Sequence, residues 1–227
     1  APDENLRSDP RRVFRKGDRV NGGIAYMRRS VDAAFDLVAR NPRAWSRFDL
    51  TVEGFFRSFA AILIVLPMNI VTDLVANQMA VARALERGKP IVEPTYGLGE
   101  ALFSSIALAT QWLIFPIAMI FLLRFLGLAQ RYTALIVAHN WGSVVVWLFN
   151  MPAFLLYAAG IISVDAAWDL TFIVLGFTIY YRFYIAQTAL DTGWGTAAGV
   201  ALLGFVLQIY YLLGISALAG LWLSPGS

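Results

Sequence analysis

The residues in this chain whose types could do chemistry lie mostly inside apolar stretches. His139 stands in the run His139, Asn140, Trp141. An imidazole within a membrane-type helix can ligate a porphyrin or chlorophyll metal, or relay protons. A lone histidine fits equally a side chain hydrogen-bonded to a neighbouring helix, and that is the expectation here; Asn140 and Asn150 read the same way. Arg182 lies in Tyr180, Tyr181, Arg182, Phe183, Tyr184. A charge at the bilayer centre costs about 2.5–3.5 kcal/mol on insertion scales, which marks it as a functional candidate. It is also about two turns from the end of its apolar run. The expectation is therefore that it snorkels to headgroup level among the tyrosines. Turned inward, it would approach His139, Asn140 or Gln187. Asn69 follows Pro67. Proline frees a carbonyl that the amide can bond, so a kink is expected there, although broken helices also line transport sites.

What is missing narrows the chemistry further. With no cysteine in the sequence, the chain has no disulfide, thiolate, iron–sulfur or cysteine-based zinc chemistry. Its single histidine cannot build a bis-histidine haem without a second chain. The zinc-protease, nucleophile-elbow, phosphate-loop and dinucleotide fingerprints do not occur. Asp73, Glu100, Asp165 and Asp169 all fall near the ends of apolar runs, which argues against a proton antiporter built on carboxylates. No enzyme activity, metal or cofactor is expected; His139 is the one candidate cofactor ligand.

The elements that must position these residues are membrane helices. Of 227 residues, 59% are hydrophobic and 15% charged, against about 45–50% and 25% in soluble domains. Most of the 18 Lys and Arg residues precede Ser58. Basic residues just before a first apolar span follow the positive-inside rule and imply anionic headgroups, not nucleic acid, as their partner. Apolar runs of the required length, about 20 residues, occupy residues 55–76, 101–123, 132–159, 168–190 and 195–223. The fold class is all-α: a polytopic bundle of five spans with an N-terminal amphipathic interfacial helix.

Three segments follow: a charged tail over 1–26, a basic amphipathic segment over 27–54 and a membrane domain over 55–223. The tail has no apolar period. Met27, followed by Arg28, Arg29 and Ser30, is the expected natural start, with 1–26 an upstream or added extension; no secretory signal peptide is expected. Ser30 is expected to cap a helix over 30–40, with Val31, Ala34, Phe35 and Val38 on one face. Asn41-Pro42 ends it. Arg28, Arg29, Arg40, Arg43 and Arg47 flank it as headgroup contacts; packing of this helix on the membrane domain is the alternative. Residues 77–100 read as a polar loop with turn signals at Gly88, Lys89, Pro90 and Pro94, and 160–167 as a loop without Lys or Arg. The charge count puts the N-terminus in the cytoplasm and the C-terminus outside, with Arg83, Arg87 and Lys89 of the first loop dissenting. A bacterial inner membrane is the expected location. Gly195 with Gly199, and Ser216 with Gly220, have the small-xxx-small spacing that lets two helices approach, within the chain or between copies.

The stretches WDLTFIVLGF (168–177), AQTAL (186–190) and AAGVALL (197–203), an apolar helix opened by Trp168 and a second apolar helix after a small-residue close, resemble the Yip-domain family of five-span membrane proteins named for Ypt/Rab GTPase interaction. The resemblance implies a non-enzymatic membrane protein and carries no catalytic residues; His139 and Arg182 fall outside it. Three functions are in contention: a scaffold or accessory subunit of a membrane complex, which is the expectation; a transporter or channel subunit with a polar path near Asn69, His139, Asn140 and Arg182; and a pigment- or haem-associated subunit using His139. What separates the first two is whether the polar residues face one cavity or separate neighbours.

Overall fold

The computed structural model describes residues 16–88 and 96–223. The first fifteen residues of the charged tail and the turn signals at Lys89, Pro90 and Pro94 lie outside the described residues. The described chain is helical: α1 (Lys16–Val38), α2 (Ala44–Arg47), α3 (Val52–Ser58), α4 (Ala61–Glu86), α5 (Leu98–Phe125), a 3-10 turn (Ala129–Arg131), α6 (Tyr132–Ala158), α7 (Val164–Leu190) and α8 (Trp194–Leu223). Five helical stretches, with α3 and α4 counted together, are long and apolar enough to cross a membrane.

Helix α6 is the axis of the bundle. Its buried residues run almost without interruption from Leu135 to Val145, packed against α1, α3, α4 and α7. Gly142 allows the closest approach. A Cβ there would stand 2.7 Å from Ile185 Cδ1 and 3.2 Å from the Tyr181 ring, so glycine leaves room for both α7 side chains, which a methyl would force to shift. Trp141 is fully buried and meets Tyr26 edge to face at 5.7 Å.

Helix α1 differs from the sequence expectation in two ways. It starts at Lys16, so Ser30 is an interior residue rather than a cap, and the helix runs across the boundary placed after Tyr26. Its buried face is Tyr26, Ser30, Ala33, Ala34 and Leu37, while Phe35 is exposed. Of the expected stripe Val31, Ala34, Phe35 and Val38, Ala34 is buried, Val31 and Val38 are partly buried and Phe35 is exposed. The packing instead uses the two alanines, because a small face lets the α1 backbone come within reach of the Tyr181 hydroxyl, which donates to Ala34 O at 2.7 Å. Tyr26 in turn donates to Gly54 O at 3.1 Å, fastening α1 to α3.

The first loop is also shorter than expected, because α4 continues to Glu86. Thr72, Val75 and Met79 keep a buried face at helical spacing, and Val75 and Met79 pack with Phe154, Val164 and Ala167. A hydropathy window ends the span where Asn77 and Gln78 begin, although the 3.6-residue period persists. Arg83 at the far end pairs with Asp165 at 2.7 Å, which accounts for one of the dissenting basic residues. Helix α7 starts at Val164, earlier than expected, because the Ser163 hydroxyl caps it by accepting from Ala166 N at 3.2 Å. Arg131 pairs with Asp191 at 2.9 Å at the other end of the bundle. Each pair joins chain ends that up-and-down alternation puts on one side.

Candidate functional site

Helices α5, α6, α7 and α8 leave two adjoining cavities of about 750 and 340 Å³. Phe115, His139, Thr178, Arg182, Gly204 and Gln208 line both. The smaller is further lined by Asn140, Ser143, Asn150 and Tyr211, the larger by Arg40 and Tyr180. Of the polar residues singled out on α6 and α7, His139 and Arg182 border both cavities, and Asn140 and Asn150 border the smaller. Gln187 and Asn69 line neither cavity.

Arg182 does not snorkel. Its guanidinium crosses to α6, where one terminal nitrogen donates to His139 O at 2.8 Å and the other to Ser143 Oγ at 2.8 Å. Ser143 in turn donates to His139 O at 2.9 Å. Turning inward is possible because Gly142 brings α7 against α6 one residue from Ser143, an approach on which distance to the end of the apolar run carries no information. Two of the five N–H groups of a guanidinium are used by these bonds. No acidic residue lines either cavity, and Arg182 has no ion-pair partner among the described residues.

The His139 ring lies flat on Phe115, centroids 3.8 Å apart and planes 10° from parallel. Gly204 of α8 packs on the same phenyl ring; a Cβ there would come within 3.0 Å of it. A chain of contacts, Gly204 to Phe115 to His139, therefore connects three helices across the cavity wall. Asn140 is fully buried and donates to Ser58 Oγ at 2.9 Å, so it does link helices as expected. Its Oδ1 and the Nε1 of Trp112, another residue lining the smaller cavity, are buried without a protein partner. Such atoms are uncommon in folded proteins.

Arg40 stands at the rim of the larger cavity. It is the residue after the α1 C-cap region with φ of 54°, a left-handed conformation usually given to glycine or asparagine. Asn41 N donates to Asp36 O at 2.8 Å, closing the helix in a Schellman pattern. The Arg40 guanidinium bonds the Tyr180 hydroxyl, with Nε 2.7 Å away, and lies over the Tyr180 and Tyr184 rings at 5.4 and 5.6 Å. Of the residues assigned to headgroups, Arg28, Arg29, Arg43 and Arg47 are exposed, and Arg47 pairs with Asp36 at 2.8 Å.

Asn69 serves a different place. Its amide donates to Asp73 Oδ2 at 2.8 Å and to Ser104 Oγ at 2.6 Å, and Ser104 also bonds Asp73. It bridges α4 to α5 instead of satisfying the Pro67 kink, and Asp73 lies well inside α4 rather than near its end. Gly195 and Gly199 do not mediate a close contact within the chain: a Cβ on either would meet nothing within 4 Å. Ser216 is exposed, and the surroundings of Gly220 lie outside the described residues.

Gln111, Ser143, Thr178, Gln208 and Tyr211 also line the cavities and lie outside the residues expected from the sequence. A signal existed: Gly204, Gln208 and Tyr211 recur at i, i+4, i+7 on α8, a polar stripe in an otherwise apolar span. No family model, curated protein or solved structure matches this chain.

Proposed function

We propose that this chain is a non-enzymatic membrane protein that binds a solute within the bundle and passes it along a polar path, as a transporter or channel subunit does. The carrying observation is the convergence of His139, Asn140, Asn150 and Arg182 on two adjoining cavities that share His139 and Arg182. An intramembrane charge turned to a cavity, and not to headgroups or a carboxylate, fits a substrate path. The basic segment before the first span favours a cytoplasmic N-terminus in a bacterial inner membrane.

The absence of cysteine makes the test direct. Thr178→Cys and Gln208→Cys, both on the wall shared by the two cavities, are expected to react with a charged methanethiosulfonate in reconstituted vesicles. Leu212→Cys, 62% exposed on the outer face of α8, is expected to resist it in lipid. If neither cavity variant reacts while Arg28→Cys is modified fully, the path reading is wrong.

One observation favours the scaffold reading instead. Gly195 and Gly199 leave a small-residue strip on α8 with nothing packed on it, which suits a helix of another subunit or a second copy. A defined dimer or a stoichiometric partner in native-detergent mass spectrometry, combined with an unreactive cavity, would move the assignment to scaffold or accessory subunit. The pigment or haem reading uses the same cavity through His139, and an absorption spectrum of the purified protein tests it.

A further inference from the structure

We propose that the occupant of these cavities is a single-chain amphiphilic anion of the fatty-acid type, its carboxylate held by Arg182 and its chain lying between α7 and α8. This rests on the cavity reading above and names the class of ligand.

Three observations carry it. First, the charge is uncompensated among the described residues: the guanidinium donates there to neutral partners, His139 O and Ser143 Oγ, and no described acidic residue lines either cavity. Neutral acceptors satisfy hydrogen bonds but leave the charge. The planar fork of arginine matches a carboxylate or phosphate through paired N–H bonds, and one guanidinium balances one negative charge, which favours a carboxylate over a phosphate dianion. Second, the larger cavity is apolar away from that end. Ile179, Phe183, Ala201, Leu202 and Phe205 form its walls, and its volume of about 750 Å³ falls in the range of small-molecule sites. A small hydrophilic anion would leave that wall unfilled; an alkyl chain fits it. Third, the cavity opens through the side of the bundle. Ile179 and Leu202 line it and are themselves 45% and 62% exposed, so a ligand dissolved in the bilayer reaches it without crossing water. Arg40, which also lines this cavity, is engaged by the Tyr180 hydroxyl and the Tyr180 and Tyr184 rings, so Arg182 is the cation left for the headgroup.

The test uses the full chain in phosphatidylcholine nanodiscs with palmitate, its methyl ester and dodecyl phosphate as probes. Palmitate is expected to raise the unfolding temperature and to protect Thr178→Cys from modification, the uncharged ester to do neither, and the phosphate to act more weakly than palmitate. Arg182→Gln is expected to weaken palmitate binding by about tenfold or more, the factor for losing a charged hydrogen bond, with Arg182→Lys intermediate. Gly176→Leu adds bulk at the border of the larger cavity, from an exposed position where an added Cβ meets nothing. It is expected to abolish binding while leaving the fold intact, which keeps the test independent of whether Arg182 variants fold. Equal action of the ester and the acid, or palmitate binding unchanged in Gly176→Leu, overturns the proposal. A cavity that reacts with thiosulfonate yet binds no palmitate refutes this ligand class alone; a cavity that binds palmitate but excludes thiosulfonate refutes the aqueous path alone.

Discussion

The two sides of α6 are built to different standards. On one side α1, α3 and α7 close on it through Gly142, Ala33 and Ala34, with Trp141 and Tyr181 fully enclosed and tied by hydrogen bonds to α1. On the other, α5 and α8 stand off and leave the cavities. In the most apolar window of each span, 39% of residues are buried for α6 against 6% for α8. Packing density in the first half fixes where Arg182 points, and looseness in the second leaves room for something to meet it. Rigid support beside an open space is the arrangement a binding site needs.

Substitutions on the two sides should therefore differ in size. Trp141→Ala is expected to cost about 3–5 kcal/mol, the range for emptying a buried aromatic site, read as unfolding in detergent. Leu212→Ala, on the lipid face of α8, is expected to change stability by less than about 0.5 kcal/mol. Comparable losses at both would remove the distinction. A pair of glycines gives a finer contrast. Gly142→Ala drives a methyl into Ile185 and is expected to cost about 1–3 kcal/mol, whereas Gly199→Ala enters open space and is expected to stabilise by about 0.5–1 kcal/mol. Ser58→Ala removes the acceptor of the Asn140 amide and is expected to cost about 1 kcal/mol; no loss would mean that the tie between α3 and α6 is dispensable.

The smallest effect is a pH dependence outside the spans. The Thr51 hydroxyl donates to Asp49 at 2.6 Å and, against the opposing effect of burial and aided by the Thr51 N–H and the charges of Arg29 and Arg57, holds this carboxyl below its ordinary value of 3.8. A depressed folded-state pKa favours the ionised form. The stabilisation is present above the ordinary carboxylate pKa and is lost as pH falls through the lower folded value, so the window lies below about pH 4. Asp49→Asn is expected to flatten the unfolding temperature across that window relative to the parent chain.

Five helices long and apolar enough to cross a membrane were legible because apolar length is a one-dimensional property. Ser163 and the 3.6-residue period through Thr72, Val75 and Met79 were present in the sequence as well, but a hydropathy count overlooks caps and periods. The orientation of Arg182 was not legible: it depends on how closely Gly142 lets two helices come, and a glycine in a row of apolar residues does not announce its neighbour. The same holds for Asn69, whose partners Asp73 and Ser104 lie on two helices. Gly195 and Gly199 show the converse, a spacing that promises a contact the chain does not make with itself.

The clasp between α5 and α8 has a consequence of its own. Tyr211 donates to Ala107 O at 2.6 Å and shares its hydroxyl with Thr110 Oγ1 at 2.5 Å, and no other side-chain hydrogen bond joins α8 to a neighbouring helix among the described residues. In water, swinging α8 outward would expose apolar surface at great expense; in a bilayer, lipid chains replace what is uncovered and the hydrophobic resistance vanishes. What remains is dispersion and one phenol. Helix α8 is thus held by a single hydrogen-bonding catch, and its packing on the bundle is expected to respond to the order and thickness of the surrounding lipid more than to solution conditions.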